Sequence, residues 1–141
     1  MPPLILSAFQ TRKPGLTPAE FKTYYETIHL PLLVSLQGSY FPKSHTRNYV
    51  IRTACDASSS DTSNSNYPAS VYYGTNHQDI DYDVYSEMIF EDEEAFKAFE
   101  KVMLDPVSGK ILVEDQQKFQ GPGSLKVVGL EVSEATMRPS Q

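Results

Sequence analysis

The chain has a single cysteine, Cys55, which excludes an internal disulfide framework. It also lacks any apolar run near the roughly 20 residues that span a bilayer as a helix, so no membrane partner is expected. Met-Pro-Pro-Leu at the start offers no basic stretch leading into an apolar one, so no secretory signal is expected and the cytoplasm is the expected location. Basic residues are in the minority, 12 Lys and Arg against 18 Asp and Glu, for a net charge of -6 and a pI near 5.0. A nucleic-acid partner is therefore not expected, because neutralising phosphates requires clustered Lys and Arg. There is no H-x-x-x-H or H-E-x-x-H, and His29, His45, His77 and Cys55 show no repeated ligand spacing, so no metal site is expected. Glycine-rich phosphate loops, a nucleophile elbow and redox cysteine pairs are missing as well. No cofactor is expected, and the partner indicated is a small-molecule substrate.

What is present is the make-up of an ordinary globular protein, 40% hydrophobic and 21% charged with a mean hydropathy of -0.38. Its 141 residues suit one domain over 1–141, able to bury about two-thirds of its unfolded surface. Local signals concentrate between Thr11 and Leu33 (TRKPGLTPAEFKTYYETIHLPLL). Thr17-Pro18-Ala19-Glu20 reads as a capping box, with Pro18 where its missing donor costs nothing. Phe21, Tyr24, Tyr25, Ile28 and His29 then fall on one stripe, which points His29 inward. Pro31 is expected to end or kink this helix and leave the imidazole at its C-terminal end.

Around this helix the chain alternates. Leu4–Thr11 reads as a strand, Leu32–Pro42 as an irregular apolar connection, and Ser44–Ala54 as a second strand with His45, Arg47, Tyr49 and Ile51 on one face. Residues 55–66 are Ser, Asn and Asp-rich, too polar to pack, and are expected to form a flexible insert. Ala69–Tyr73 reads as a short extended piece, and His77, in an acidic turn, as a surface residue. Val84–Phe90 is a third strand, with Glu87 in mid-strand, for which an edge or cross-strand ion pair, with Arg47 as a candidate partner, is the plainest explanation. Asp92 caps a helix whose stripe is Phe96, Phe99, Val102 and Met103, a second helical piece runs over 108–119, and Leu125–Val132 is a last strand. The tail, 133–141, has nothing to bury. This order predicts an α+β fold, a ferredoxin-like sandwich with helices on one face of an antiparallel sheet. The uncovered face calls for a second copy, hence a homodimer.

RKPGLTPAEFKTYYETIHLPLL resembles the EthD-type family of the dimeric α+β barrel superfamily, in which a helix of the form TPEEF…YY…H.P follows the first strand. FPKSHTRNYVIR and YPASVYYGTNHQDIDYDVYSEMIFEDEEAFKAF are similar to its fungal, secondary-metabolite branch, with an SHTR.Y strand and an F-D-Y-D…E-F-D/E block. The likeness covers about residues 4 to 132; the Ser-rich insert is longer than usual, and Asn48 stands where a second basic residue is common. It implies a dimeric α+β barrel acting as a cofactor-independent lyase or cyclase on an aromatic or polyketide-derived small molecule. A cofactor-free monooxygenase or isomerase of a phenol and a non-catalytic binding protein are the alternatives.

The catalytic candidates are His29, His45, Arg47 and Tyr49. Either imidazole suits acid/base work near neutral pH, Arg47 suits a carboxylate or enolate, and Tyr24 or Tyr49 suits a developing oxyanion. Phe9, Phe21, Tyr24, Tyr73, Glu87 and Met88 are the candidate substrate-binding residues. The plain alternatives are a core histidine bonded to a carbonyl for His29 and aromatic packing for the tyrosines.

Overall fold

Leu-Ile-Leu-Ser-Ala-Phe-Gln, Leu4–Gln10 (β1), is mostly apolar at both odd and even positions, the pattern of a strand covered on two faces. In the computed structural model, which describes residues 2–140, it takes a central place. Met1 and Gln141, the ends of the expected domain and tail, lie outside the described residues. The other strands are Ser44–Tyr49 (β2), Val84–Phe90 (β3) and Lys126–Leu130 (β4). The sheet order is β2-β3-β1-β4 with every neighbouring pair antiparallel. Each split β-α-β unit thus has another strand between its parallel members, which is the expected ferredoxin-like arrangement. Helices pack on one face. Leu6, Val84 and Phe90 from the sheet share one core with Phe21, Tyr25, Leu33, Phe99, Leu112 and Phe119.

The first helical run begins as the capping box requires. Thr17 Oγ1 accepts from the Glu20 amide at 3.1 Å, and the Glu20 carboxylate accepts from the Thr17 amide at 2.9 Å. It does not end at Pro31. Pro18–Tyr24 (α1) passes into a π-helical turn, Tyr25–His29, and then into Leu30–Gln37 (α2). The Leu30 amide donates to Tyr25 O, five residues back, and Pro31 falls in the first turn of the renewed α-helix, where a missing donor leaves nothing unpaired. The widened turn keeps Phe21, Tyr25 and His29 facing inward and carries Ile28 off the stripe, to 49% exposure. The segment expected to be irregular is therefore helical, and it stops at Gly38, whose φ of +56° lies in the region that favours glycine.

Asp92 accepts from the Ala95 amide at 2.9 Å and starts Glu93–Met103 (α3), which Ser108–Gln116 (α4) follows. The two helices approach closely at Gly109, where a Cβ would meet Met103 O at 2.2 Å. No helix of the described residues is long and apolar enough to cross a membrane.

The Ser-rich insert is mostly exposed, and its own amides and side chains pair with one another. Cys55 N donates to Asn66 O at 2.8 Å, and the buried Asn66 amide bonds Asp56 O and Asp61 O. Arg12 ties the loop to the body, donating to Asn64 Oδ1 at 2.9 Å and to Thr62 O. The same guanidinium pairs with the buried Asp83, whose second oxygen accepts from the Arg12 amide at 2.8 Å. Arg52 Nε lies 3.0 Å from Asp83 Oδ1, a charge contact without hydrogen-bond alignment, while its terminal nitrogens donate to Tyr67 O, Ile80 O and Tyr82 O.

Removing one partner of a buried ion cluster leaves uncompensated charge. Asp83→Ala is therefore expected to cost about 3–5 kcal/mol in urea denaturation. Asp83→Asn, which keeps the shape and loses the charge, should recover only part of it.

Candidate active site

Alternation along the strands decides what the helices cover. Leu6, Ala8 and Gln10 of β1, Ser86 and Met88 of β3, and His45 of β2 line a cavity of about 420 Å³ on the helix-bearing side of the sheet. Tyr25, Leu33, Phe99 and Met103 form its opposite wall, and Leu125 and Val127 its β4 side. The size and mostly apolar lining suit a small-molecule site.

Two polar atoms in this lining stand out. Ser86, 1% exposed, has no hydrogen-bond partner for its hydroxyl, and His45 has none for Nδ1. An unpaired buried polar atom costs about 1–3 kcal/mol, so each represents an unused capacity to hold something.

The neighbouring polar groups are, by contrast, paired. His29 Nδ1 lies 3.0 Å from Asp115 Oδ2, and Tyr24 donates its hydroxyl to Asp115 Oδ1 at 2.5 Å. The carboxylate thereby orients the imidazole and favours the tautomer with its proton on Nδ1. Burial works against the charged form of Asp115, but hydrogen bonds from Tyr24 and His29 prevail and hold its carboxyl below the ordinary value. Burial first, and Asp115 second, push the Tyr24 phenol up to about 12, so it remains a donor. Burial also lowers His29, against the pull of Asp115.

A second network lies on β2. Arg47 Nε donates to Glu26 at 2.5 Å and Nη2 at 3.1 Å, Nη1 donates to His45 O at 2.7 Å, and the Tyr49 hydroxyl donates to Glu26 at 2.6 Å. Arg47, read as an anion holder, already holds a carboxylate of its own chain. Tyr25 connects the two networks, its ring 5.9 Å from that of His29 and 6.4 Å from that of His45.

Of the sequence candidates, His45 and Met88 line the cavity. His29 sits outside the lining, packed on Tyr25 and Phe119. Arg47 and Tyr49 share the face of His45, as period-2 spacing predicts, yet are engaged by Glu26. Phe21 is buried in the core, and Tyr24 serves Asp115. Phe9 and Glu87 lie on the opposite face of the sheet, Phe9 stacked on Tyr85 and Glu87 accepting from the Tyr85 hydroxyl at 3.2 Å. Glu87 therefore has no pair with Arg47, because the register sets Arg47 opposite Ser86 and turns the two charges to different faces. Tyr73 is 92% exposed. His77 is exposed, as expected.

Ser86, Asp115 and Glu26 are functional candidates that pattern reading passed over. Ser86 and Asp115 carry a usable signal, a polar residue on an apolar stripe: Ser86 between Val84 and Met88, and Asp115 at i+3 from Leu112 and i-4 from Phe119. Glu26 has none within its own helix, since its partners come from β2. Among the described residues no group of three or more His, Cys, Asp or Glu is placed to hold a metal ion.

Burial, and secondarily the Arg47 charge, push His45 down to about 4, against a pull from Glu26. An unfolded histidine titrates near 6.5. Between these values the unfolded chain binds the proton and the folded one does not. This group therefore leaves stability untouched above about 6.5 and lowers it as pH falls towards about 4. His45→Gln should show a smaller loss of Tm across that window; an unchanged dependence would acquit His45.

Comparisons place the chain. No curated protein matches it. Among solved structures, an ethyl tert-butyl ether D (EthD) family protein from Bacillus halodurans C-125 is similar at 16% identity and a TM-score of 0.50, over 94% of this chain and 100% of that one. An EthD-like protein from Ralstonia eutropha JMP134 is similar at 14% identity and a TM-score of 0.54, over 96% and 97%. At these identities the likeness establishes the fold, the one expected from the dimeric α+β barrel resemblance. Residues 13–123, from the turn after β1 through the loop before β4, match the EthD domain, and the chain belongs to the EthD domain family.

Proposed function

We propose that the chain is a cofactor-independent lyase or cyclase acting by acid/base chemistry on an aromatic or polyketide-derived small molecule. A tailoring step of fungal secondary metabolism is the setting its sequence resemblance suggests. The observation that carries the reading is His45 in the wall of an apolar cavity, its imidazole bound to no other side chain. A neutral imidazole there can take a proton from a carbon beside a substrate carbonyl. The resulting imidazolium returns that proton to a departing hydroxyl, and water leaves. His29, oriented by Asp115, is the other imidazole of the layer, separated from His45 by Tyr25.

The low affinity of His45 for protons favours a second reading, a non-catalytic binding protein, since a base near 4 has weak driving force at neutral pH. A β-hydroxy aryl ketone such as 4-hydroxy-4-phenylbutan-2-one separates the two, because dehydration yields an enone that absorbs in the near ultraviolet. Turnover should fall roughly 10²–10⁴-fold in His45→Ala, and kcat/KM of the parent chain should lose its acidic limb only near pH 4. Full turnover in both His45→Ala and His29→Ala would overturn the assignment, and binding without product favours the binding protein.

The second copy belongs to the same proposal. Val128 and Leu130 are 48% and 41% exposed on the sheet face that carries no helices, where a twofold partner sheet would cover them. A dimer is expected in sedimentation at micromolar concentration, and Val128→Asp should shift it to monomer.

A further inference from the structure

Ser86, 1% exposed, is the more deeply buried of the two hydroxyl-bearing residues in the cavity wall, the other being Tyr25, and it lies on the same face of the sheet as His45. The β2–β3 register pairs His45 with Met88 and Arg47 with Ser86, so His45 and Ser86 are diagonal neighbours. Diagonal positions sit roughly 7–8 Å apart along the backbone, within reach of a side chain as long as histidine, so one ligand atom between the two side chains can touch both. Ser86 Oγ and His45 Nδ1 are both buried and without partners, and both residues line the cavity. A serine present only to fill space would be replaced at lower cost by alanine, since a hydroxyl shielded from water and unpaired is a net loss.

The charges around the site narrow the ligand further. No lysine or arginine lines the cavity; the only charged residue in its wall is Glu100, which is solvent-exposed. Arg47, the nearest cation along β2, spends its guanidinium on Glu26 and on His45 O. A ligand carboxylate would lose its water without gaining a counter-charge, whereas a neutral carbonyl or hydroxyl would find two waiting partners.

We infer that Ser86 and His45 form a polar anchor for a single neutral oxygen, carbonyl or hydroxyl, on an otherwise apolar ligand, and that the cavity discriminates against carboxylates. This rests on the reading of the cavity as the substrate site and assigns Ser86 as a positioning and specificity residue. It takes the anion-holding role away from Arg47.

Titration calorimetry with 2-naphthol, naphthalene and 2-naphthoate, against the parent chain and Ser86→Ala, tests it. The naphthol should bind tightest to the parent chain, by about five-fold over naphthalene, and Ser86→Ala should erase that margin without lowering Tm. Equal affinity for all three, or a naphthol margin that survives in Ser86→Ala, would overturn the anchor while leaving the cavity as a ligand site. Tightest binding of the naphthoate would overturn the selection for neutral ligands. Binding of none of the three would overturn the substrate-site reading and the anchor with it.

Discussion

Asp83 is where the molecule is tied together. Its amide donates to Gln10 O, its carbonyl accepts from the Val50 amide, and its carboxylate holds Arg12 and Arg52, so the ends of β1, β2 and β3 meet at one residue. That meeting fixes strand register, and register decides which alternate residues face the helices. A slip by one residue would turn Ser86 and His45 out of the cavity and bring Glu87 in. The insert is secured by the same device, since the guanidinium that neutralises Asp83 also caps Thr62 O and Asn64. A segment too polar to form a core of its own is held by charge and hydrogen bonds where hydrophobic burial is unavailable.

Above this frame, hydrogen bonding sorts the polar groups of the helix-covered side into those already used and those left over. Asp115 takes His29 and Tyr24; Glu26 takes Arg47 and Tyr49. Each pairing removes a desolvation penalty that an isolated charge in this layer would carry. His45 Nδ1 and Ser86 Oγ are outside both networks, and both belong to residues that line the cavity. Local instability retained at a concave apolar site is the usual mark of a place built to receive something.

The helical signals between Thr11 and Leu33 read truly where they were purely local. The capping box, the Phe21 and Tyr25 stripe and the inward turn of His29 all appear. The end at Pro31 does not, because proline breaks a helix only where its amide and the preceding turn are constrained, and one π turn relieves both. On β2 alternation groups His45, Arg47 and Tyr49 on one face, while Ile51, expected beside them, lies beyond the end of the strand; an Arg47–Glu87 pair depends on register, which alternation does not carry. Phe9 and Tyr73 lie outside the cavity lining for a similar reason: an aromatic residue on a strand or loop signals burial or contact without saying on which side.

By itself, the order and periodicity of the residues pointed to the α+β class and to most helix and strand positions, α2 excepted, since these depend on spacing and caps within about a dozen residues. The order of those elements pointed to the ferredoxin-like arrangement. Only the tertiary structure decided that Asp115 orients His29, that Glu26 occupies Arg47, and that His45 and Ser86 are left unpaired in one cavity. These are pairings between residues 21 to 86 positions apart in the chain, and hydrogen bonds over such separations exist only once the sheet register has brought the two ends together.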